Sequence, residues 1–215
     1  MAPEHKPSRT KPGIRHEQVA LTERRVLEAA SALFVERGYV GTSLLAVAEA
    51  AGVAPRTVYV RFGSKAQLLG RCIDTSIVGD TQPVALLDRD LAKPSLEGAT
   101  LEERIDGLVA LSRAVMERSA ALFAVATQAA AIEPEIAAME RAGMQQTLGD
   151  FRVLAERLAA DRLLPEGMSA DAVTDLLWVL TGPRTLVSLQ ADRGWTPDRF
   201  AAWLESVLRS FLRPR

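Results

Sequence analysis

Apolar residues recur at helical spacing along nearly the whole chain, and no segment shows the period of two that marks a half-buried strand. Alanine and leucine dominate this pattern, and no run of β-branched residues alternates with polar ones. Glycines and prolines divide the pattern into separate segments. The sequence therefore predicts an all-α protein of about nine helices.

The first third of the chain is predicted to form three short helices and the start of a fourth. Each segment has a residue suited to a helix start, either a hydroxyl that can cap the first turn or a proline that needs no N–H there. Each of the first three also has a glycine suited to a helix end. The predicted starts are Thr22, Ser43, Pro55 and Ser64, and the predicted ends are Gly38, Gly52 and Gly63.

Longer helices are predicted in the remainder, after a loose stretch that reaches Gly98. Thr100 and Glu103 form a capping box, and Gly182–Pro183 is expected to kink one of the later helices. The predicted helices cover residues 100–116, 120–132, 134–161, 169–191 and 197–212. Three regions are predicted from this division: a flexible basic arm at 1–20, a unit of short helices at 21–70, and a body of longer helices at 71–215.

Positive charge is concentrated at the N-terminal end, although the net charge of the whole chain is only −1. Residues 1–71 hold 11 Lys and Arg against 6 Asp and Glu, a net of +5, and residues 72–215 hold 15 against 21, a net of −6. This asymmetry favours a polyanion-binding module joined to an acidic body. The arm at 1–20 is either inert or follows the minor groove of DNA.

The three short helices, with a tight turn at Gly52, have the layout of a helix-turn-helix. In the third segment, Val58 and Phe62 are four residues apart and are expected to face the core. Its other side chains are then free to meet DNA, together with hydroxyl and basic groups at neighbouring helix starts. The predicted DNA-binding residues are Thr42, Ser43, Ala54, Pro55, Arg56, Thr57, Tyr59, Val60, Arg61 and Lys65.

Residues 22–69 resemble, without a gap, the DNA-binding domain of TetR-family transcriptional regulators. The resemblance lies in Gly38–Tyr39, Thr42–Ser43, Ala48, Ala51–Gly52–Val53, Tyr59, Phe62, Ser64–Lys65 and Leu68. It implies an all-helical homodimer that binds a palindromic operator in double-stranded DNA. In such a dimer, residues 21–70 form the helix-turn-helix DNA-binding domain and residues 71–215 the ligand-binding and dimerisation domain.

The resemblance also implies roles for individual residues. Thr42, Tyr59 and Lys65 match positions that contact phosphates in the family, and Arg56, Thr57 and Val60 match positions that read base edges. Two residues depart from the family pattern. Ala54 stands where a capping serine is common, and Arg61 stands where histidine or tyrosine is common.

The C-terminal helices carry more apolar surface than one chain can cover. Between Asp175 and Asp192 the only charged residue is Arg184, and a helix that is apolar all round must be covered all round. An isologous interface of two helices from each subunit solves this problem. The predicted interface residues are Leu180, Val187, Trp203, Val207, Leu208 and Phe211.

A hydrophobic or amphipathic ligand is expected in the body, because family members release DNA when a small molecule binds there. With no histidine beyond His16, apolar contact must dominate the binding. The candidate lining residues are Met116, Phe123, Gln128, Met139, Met144, Gln145, Phe151 and Trp178.

Other functions fit the sequence less well. An all-helical enzyme is the main alternative, but the chain has neither a phosphate-binding glycine loop nor a metal-ligand cluster, and the single cysteine, Cys72, is expected to be a reduced core thiol. A regulator without a small-molecule effector is a second alternative. An architectural DNA protein would need basic charge over most of its surface. We therefore expect a cytoplasmic repressor that is not an enzyme and needs no cofactor or metal, with no membrane partner.

Overall fold

The structure is a computed structural model that describes residues 12–212, with side chains from residue 18 onward. Those residues form ten α-helices and no strand, which confirms the all-α prediction. The helices are α1 (Pro12–Arg37), α2 (Leu44–Ala51), α3 (Pro55–Phe62), α4 (Lys65–Val78), α5 (Lys93–Glu97), α6 (Leu101–Ala130), α7 (Pro134–Ala160), α8 (Ala170–Thr181), α9 (Pro183–Val187) and α10 (Pro197–Phe211). None of the described helices is long and apolar enough to cross a membrane.

Helices α1 to α4 form an N-terminal unit around Phe34, which is fully buried. Val26, Val47, Val58 and Leu68 join Phe34 in this core, so each of the four helices contributes at least one buried side chain. The core also takes in residues from the end of α6 and the start of α7. The N-terminal unit and the body are therefore packed together without a linker between them.

The turn between α2 and α3 depends on Gly52, whose backbone is left-handed with φ of 64°. Glycine adopts this conformation without the steric cost that a Cβ brings. Beside the turn, the guanidinium of Arg25 donates to the Ala51 carbonyl at 2.6 Å and so satisfies the end of α2. The predicted helix-turn-helix geometry is present.

Helix α1 begins at Pro12, so the prediction of a flexible arm over residues 1–20 is wrong for residues 12–20. Thr22 does not cap this helix: its hydroxyl donates to the Gln18 carbonyl at 2.8 Å, as a threonine inside a helix does. Proline suits the first position of a helix, because an N–H group there would have no partner within the helix. Residues 1–11 lie outside the described part of the chain.

The 30-residue helix α6 is the central element of the body. Its predicted capping box is present, since Thr100 caps Glu103 and the Glu103 carboxylate returns to the Thr100 N–H. The prediction of two helices, at 100–116 and 120–132, is wrong. Glu117, Arg118 and Ser119 lie between those segments and contain no helix breaker, so the helix continues through them.

Helices α8 and α9 correspond to one predicted helix that Gly182 interrupts. The Gly182 backbone is extended, and α9 restarts at Pro183. A Cβ on Gly182 would lie 2.5 Å from the Trp178 carbonyl oxygen, so only glycine fits this break. Beyond α9, a π-helical turn covers Ser188–Asp192. The expected kink is therefore a complete break.

The far end of α4 is tied to the middle of α6. The Arg118 guanidinium donates to the carbonyl oxygens of Ser76 and Ile77 at 2.9 and 2.7 Å, and so caps the end of α4. The Ser76 hydroxyl lies 3.0 Å from that of Ser119. Cys72 is buried in the same helix, and burial raises the pKa of its thiol to about 11, as expected of an unreactive core cysteine.

Candidate nucleic-acid interface and internal pocket

Helix α3 presents one buried side and one open side. Val58 and Phe62 are buried, as their four-residue spacing predicts. On the open side, Tyr59 is 52% exposed and Val60 is 76% exposed, and Arg56 and Thr57 are exposed as well. An exposed valine and tyrosine flanked by arginines form a surface that could meet base edges and phosphates.

The start of α3 lacks the usual side-chain cap. Pro55 is its first residue, and Ala54 occupies the N-cap position with φ of −65° and ψ of 137°. The backbone bond from the Thr57 N–H to the Ala54 carbonyl is formed at 2.8 Å. Because alanine has no side-chain acceptor, residue 54 supplies no side-chain cap to the first-turn N–H groups.

Arg61, at the last turn of α3, forms an ion pair with Glu23 of α1. Glu23 also accepts from Arg71 of α4 at 3.3 Å. Burial alone raises the pKa of Glu23, but the hydrogen bonds and charges of Arg61 and Arg71 outweigh this effect and hold the pKa below its usual value. Arg61 therefore braces α3 against α1, a partner that the sequence did not reveal.

Thr42 is 1% exposed, so the prediction that its hydroxyl contacts phosphate is wrong. That hydroxyl instead lies 3.1 Å from the Leu33 carbonyl and 2.9 Å from that of Gly38, two groups at the end of α1. The next residue, Ser43, is exposed and caps α2 by accepting from the Ala46 N–H at 3.1 Å. Thr42 is a structural residue, and Ser43 remains accessible.

Lys65, the first residue of α4, is held by Tyr39. Its ammonium donates to the Tyr39 carbonyl at 2.7 Å and lies 4.1 Å from the centre of the Tyr39 ring. Burial lowers the pKa of Lys65, while the negative charge of Glu133 opposes that change. The lysine is thus half-buried and ordered rather than freely mobile.

The junction of α6 and α7 contacts the N-terminal unit through two carboxylates that sequence reasoning missed. Glu135 accepts from the Ser64 hydroxyl and from the Gln67 amide, each at 3.0 Å. Glu133 accepts from the Tyr39 hydroxyl at 3.3 Å. These residues are more than sixty positions apart in the chain, so only the folded structure reveals the contacts.

A pocket of about 110 Å³ lies between α4, α6 and α7. Its walls are mainly apolar, but they include the carboxylates of Asp74 and Glu140 and the guanidinium of Arg184. Loss of water around Asp74 raises its pKa, against the opposing charge of Arg71. The α4 residues of this wall share one helix face: Gly70, Ile73, Asp74 and Ile77.

Half of the predicted ligand-binding residues lie at this pocket or at an adjoining space of about 220 Å³. They are Phe123, Met139 and Met144 in the pocket wall, with Met144 shared, and Trp178 at the adjoining space. The other four predicted residues do not line either space. Met116 and Phe151 are buried in the core of the body, and Gln128 and Gln145 are exposed outside both spaces.

The predicted interface residues differ in their solvent exposure in the single chain. Phe211 is 58% exposed, and Val187, Trp203 and Val207 are partly exposed. Leu180 and Leu208 are already buried within the single chain, so they leave almost no surface for a partner to cover. Val179 of α8, which the sequence analysis did not single out, is 63% exposed.

A family comparison matches residues 26–72 to the family described as bacterial regulatory proteins, tetR family. No curated protein is significantly similar to the chain. The matched segment contains all of α2 and α3, together with the second part of α1 and the first part of α4.

Solved structures share the fold over most of this chain at low sequence identity. A protein from Mesorhizobium loti MAFF303099, described as a TetR-family transcriptional regulator, is 21% identical with a TM-score of 0.67, over 89% of this chain and 95% of that one. FadR from Bacillus subtilis, in complex with stearoyl-CoA, is 16% identical with a TM-score of 0.66, over 88% and 99%. A transcriptional regulator from Saccharomonospora viridis, in complex with choline, is 19% identical with a TM-score of 0.65, over 90% and 98%. At these identities the likeness establishes the fold.

Replacing Ala54 with serine should stabilise the protein. The residue already has N-cap geometry, so a serine hydroxyl can accept from the first turn of α3 and add about 1 kcal/mol to the free energy of unfolding. Urea denaturation measures this change. Ala50→Ser, an exposed position inside α2, is the matched control and should be slightly destabilising. Equal effects at the two positions would contradict the capping assignment.

Proposed function

We propose that this chain, whose residues 26–72 match the tetR family of bacterial regulatory proteins, is a member of that family and a sequence-specific DNA-binding repressor. It acts as a homodimer on a palindromic operator and leaves the DNA when a small ligand binds in the body. The observation that carries this proposal is the open side of α3, where Arg56, Thr57 and Val60 are exposed while Val58 and Phe62 hold the helix in place.

In the proposed complex, α3 enters the major groove with its N-terminal end toward the base pairs. Arg56 is the best candidate for base reading, because a guanidinium can donate two hydrogen bonds to guanine. Val60 offers an apolar contact to a thymine methyl group. Tyr59, Ser43 and Lys65 contact phosphates, together with the N–H groups at the start of α3.

Dimerisation is required because one α3 reads only half of a palindrome, and successive half-sites lie about 34 Å apart on the duplex. The exposed apolar residues on α8 and α10 support an interface formed by these helices. Val179 and Phe211 are its most exposed members, with Trp203 and Val207 beside Phe211 on α10. Their burial against a second copy removes apolar surface from water.

The proposed ligand has an apolar body and a cationic group. The apolar wall of the pocket suits the former, and the carboxylates of Asp74 and Glu140 suit the latter. Glu140 already accepts from Thr127 at 2.9 Å, and Arg184, which also lines the pocket, is exposed. For release, the ligand must bind the state that cannot hold DNA more tightly than the state that can. The function is regulatory rather than enzymatic.

Selection from a random pool of duplex DNA tests the proposed function directly. The wild-type protein should enrich a palindrome. Arg56→Ala should weaken binding to that palindrome by about 1–3 kcal/mol and relax the choice of one base pair in each half. Arg152→Ala removes the same charge from an exposed site in α7 and should leave both properties nearly unchanged. Enrichment of a single, unrepeated site, or of none, would refute the proposal.

Introducing charge at the proposed interface should separate the subunits. Phe211→Asp and Val179→Asp each place a carboxylate in an apolar contact, which should weaken the dimer by about 2 kcal/mol or more. Sedimentation equilibrium measures the change in association. Val153→Asp, at an exposed apolar position of α7, serves as the control and should remain dimeric. If all three variants associate like the wild type, the interface lies elsewhere.

A pair of probes of opposite charge tests the ligand chemistry. Octyltrimethylammonium should bind at least about tenfold more tightly than octanoate, which corresponds to about 1.4 kcal/mol. Asp74→Asn should reduce that preference, since it removes a negative charge from the pocket wall. Titration calorimetry measures both affinities. Tighter binding of octanoate would exclude a cationic ligand, and failure of both probes to weaken DNA binding would argue for a regulator without such an effector.

A further inference from the structure

We propose that Glu133 and Glu135 are positioning residues for DNA binding: they hold Tyr39 and the first turn of α4 so that Lys65 is ordered for a phosphate contact. This inference rests on the proposed function, because it concerns how a group of the same DNA-binding surface is placed. We call these two carboxylates, with Tyr39 and Ser64, the junction latch.

Glu135 fixes the first turn of α4 through a residue adjacent to Lys65. The Ser64 hydroxyl has two roles: its oxygen accepts from the Gln67 N–H and so caps α4, and the hydroxyl donates to Glu135. The Gln67 side chain donates to the other oxygen of the same carboxylate. Both contacts are made to one side chain of the first turn of α7, so the starts of α4 and α7 are joined.

Glu133 acts on Lys65 through Tyr39. The Tyr39 hydroxyl donates to Glu133, while the carbonyl and ring face of Tyr39 hold the lysine ammonium. Burial, followed by the charge of Glu133, raises the pKa of Tyr39 to about 12, so the hydroxyl remains a donor at neutral pH. The Tyr39 ring also stacks on Phe34, with 6.2 Å between ring centres, which anchors it to the core.

An ordered lysine binds a phosphate at lower entropic cost than a mobile one, because its rotamers are already restricted in the free protein. The ammonium has three N–H donors, and only one is directed to the Tyr39 carbonyl. The remaining donors can meet a phosphate oxygen. The latch therefore orders Lys65 for binding without using all of its N–H donors.

The latch also links this surface to the pocket. Helix α7 carries Glu135 in its first turn and contributes Ile136, Met139 and Glu140 to the pocket wall. A Cβ on Gly70 of α4 would lie 1.8 Å from the Met139 methyl group, so α4 and α7 are in close contact there. A ligand that separates these helices must lengthen the Glu135 contacts, and this change would reach Lys65.

A double-mutant cycle on DNA affinity tests the proposal with the intact protein and the duplex that it selects. Lys65→Ala should lower affinity and reduce the slope of log K against log salt by about 0.9 per subunit. Glu135→Ala should weaken DNA binding about tenfold. It should also reduce the slope of log K against log salt, as Lys65→Ala does. In the Lys65→Ala background, Glu135→Ala should have no further effect.

Simple electrostatics predicts the opposite sign for Glu135→Ala, because removal of a negative charge strengthens DNA binding. Glu156→Ala, an exposed position of α7, is the matched control for this effect and should bind equally or slightly more tightly. Tyr39→Phe keeps the ring and its packing on Phe34 but removes the bond to Glu133. It should weaken binding only when Lys65 is present. Urea denaturation of every variant verifies that it is folded.

The proposal is overturned if Glu135→Ala binds DNA like Glu156→Ala, or if its loss of affinity is the same with and without Lys65. The second result would mean that the latch acts only on the stability of the fold. Tighter DNA binding by Tyr39→Phe would also overturn the proposal, because the latch would then hold Lys65 away from the phosphate. Failure of the wild-type protein to bind any duplex would instead refute the proposed function, and with it the role of the latch.

Discussion

The proposed DNA-facing surface depends on how two side chains anchor a helix of eight residues. Val58 and Phe62 are the only buried residues of α3, and a helix this short is not stable by itself in water. Its position therefore comes from the core around Phe34, from the left-handed turn at Gly52, and from the ion pair of Arg61 with Glu23. Because so few residues anchor the buried side of α3, nearly all of its other side chains remain exposed to solvent.

Helix α4 joins two properties that would otherwise be independent. Its first turn carries Lys65 beside the proposed DNA-facing surface, and its middle forms one wall of the pocket. Its end is capped by Arg118 of α6. The helix is thus fixed at both ends by the body, at the first end through Glu135. Polar contacts at each end of α4 therefore resist a displacement of this helix at the pocket. A movement of the body would be passed to the N-terminal unit through these contacts.

Much of this architecture could be predicted from local signals, because caps, glycines and helical spacing act over a few residues. Ser43, Ser64, Thr100 and Thr196 cap the predicted helices. Contacts between distant segments could not be predicted in this way. A threonine beside a helix start is a reasonable phosphate ligand in sequence, and only tertiary packing turns the Thr42 hydroxyl toward α1. The same limit applies to Leu208, which its own chain already covers.

Methylation interference on the selected duplex tests the central claim, that the open side of α3 reads the major groove. Dimethyl sulfate modifies guanine N7 in the major groove and adenine N3 in the minor groove. Methylation of a guanine in each half-site should block the wild-type protein, and this interference should disappear at that guanine for Arg56→Ala. Interference confined to adenine N3, or a pattern that is identical for the two proteins, would contradict the account.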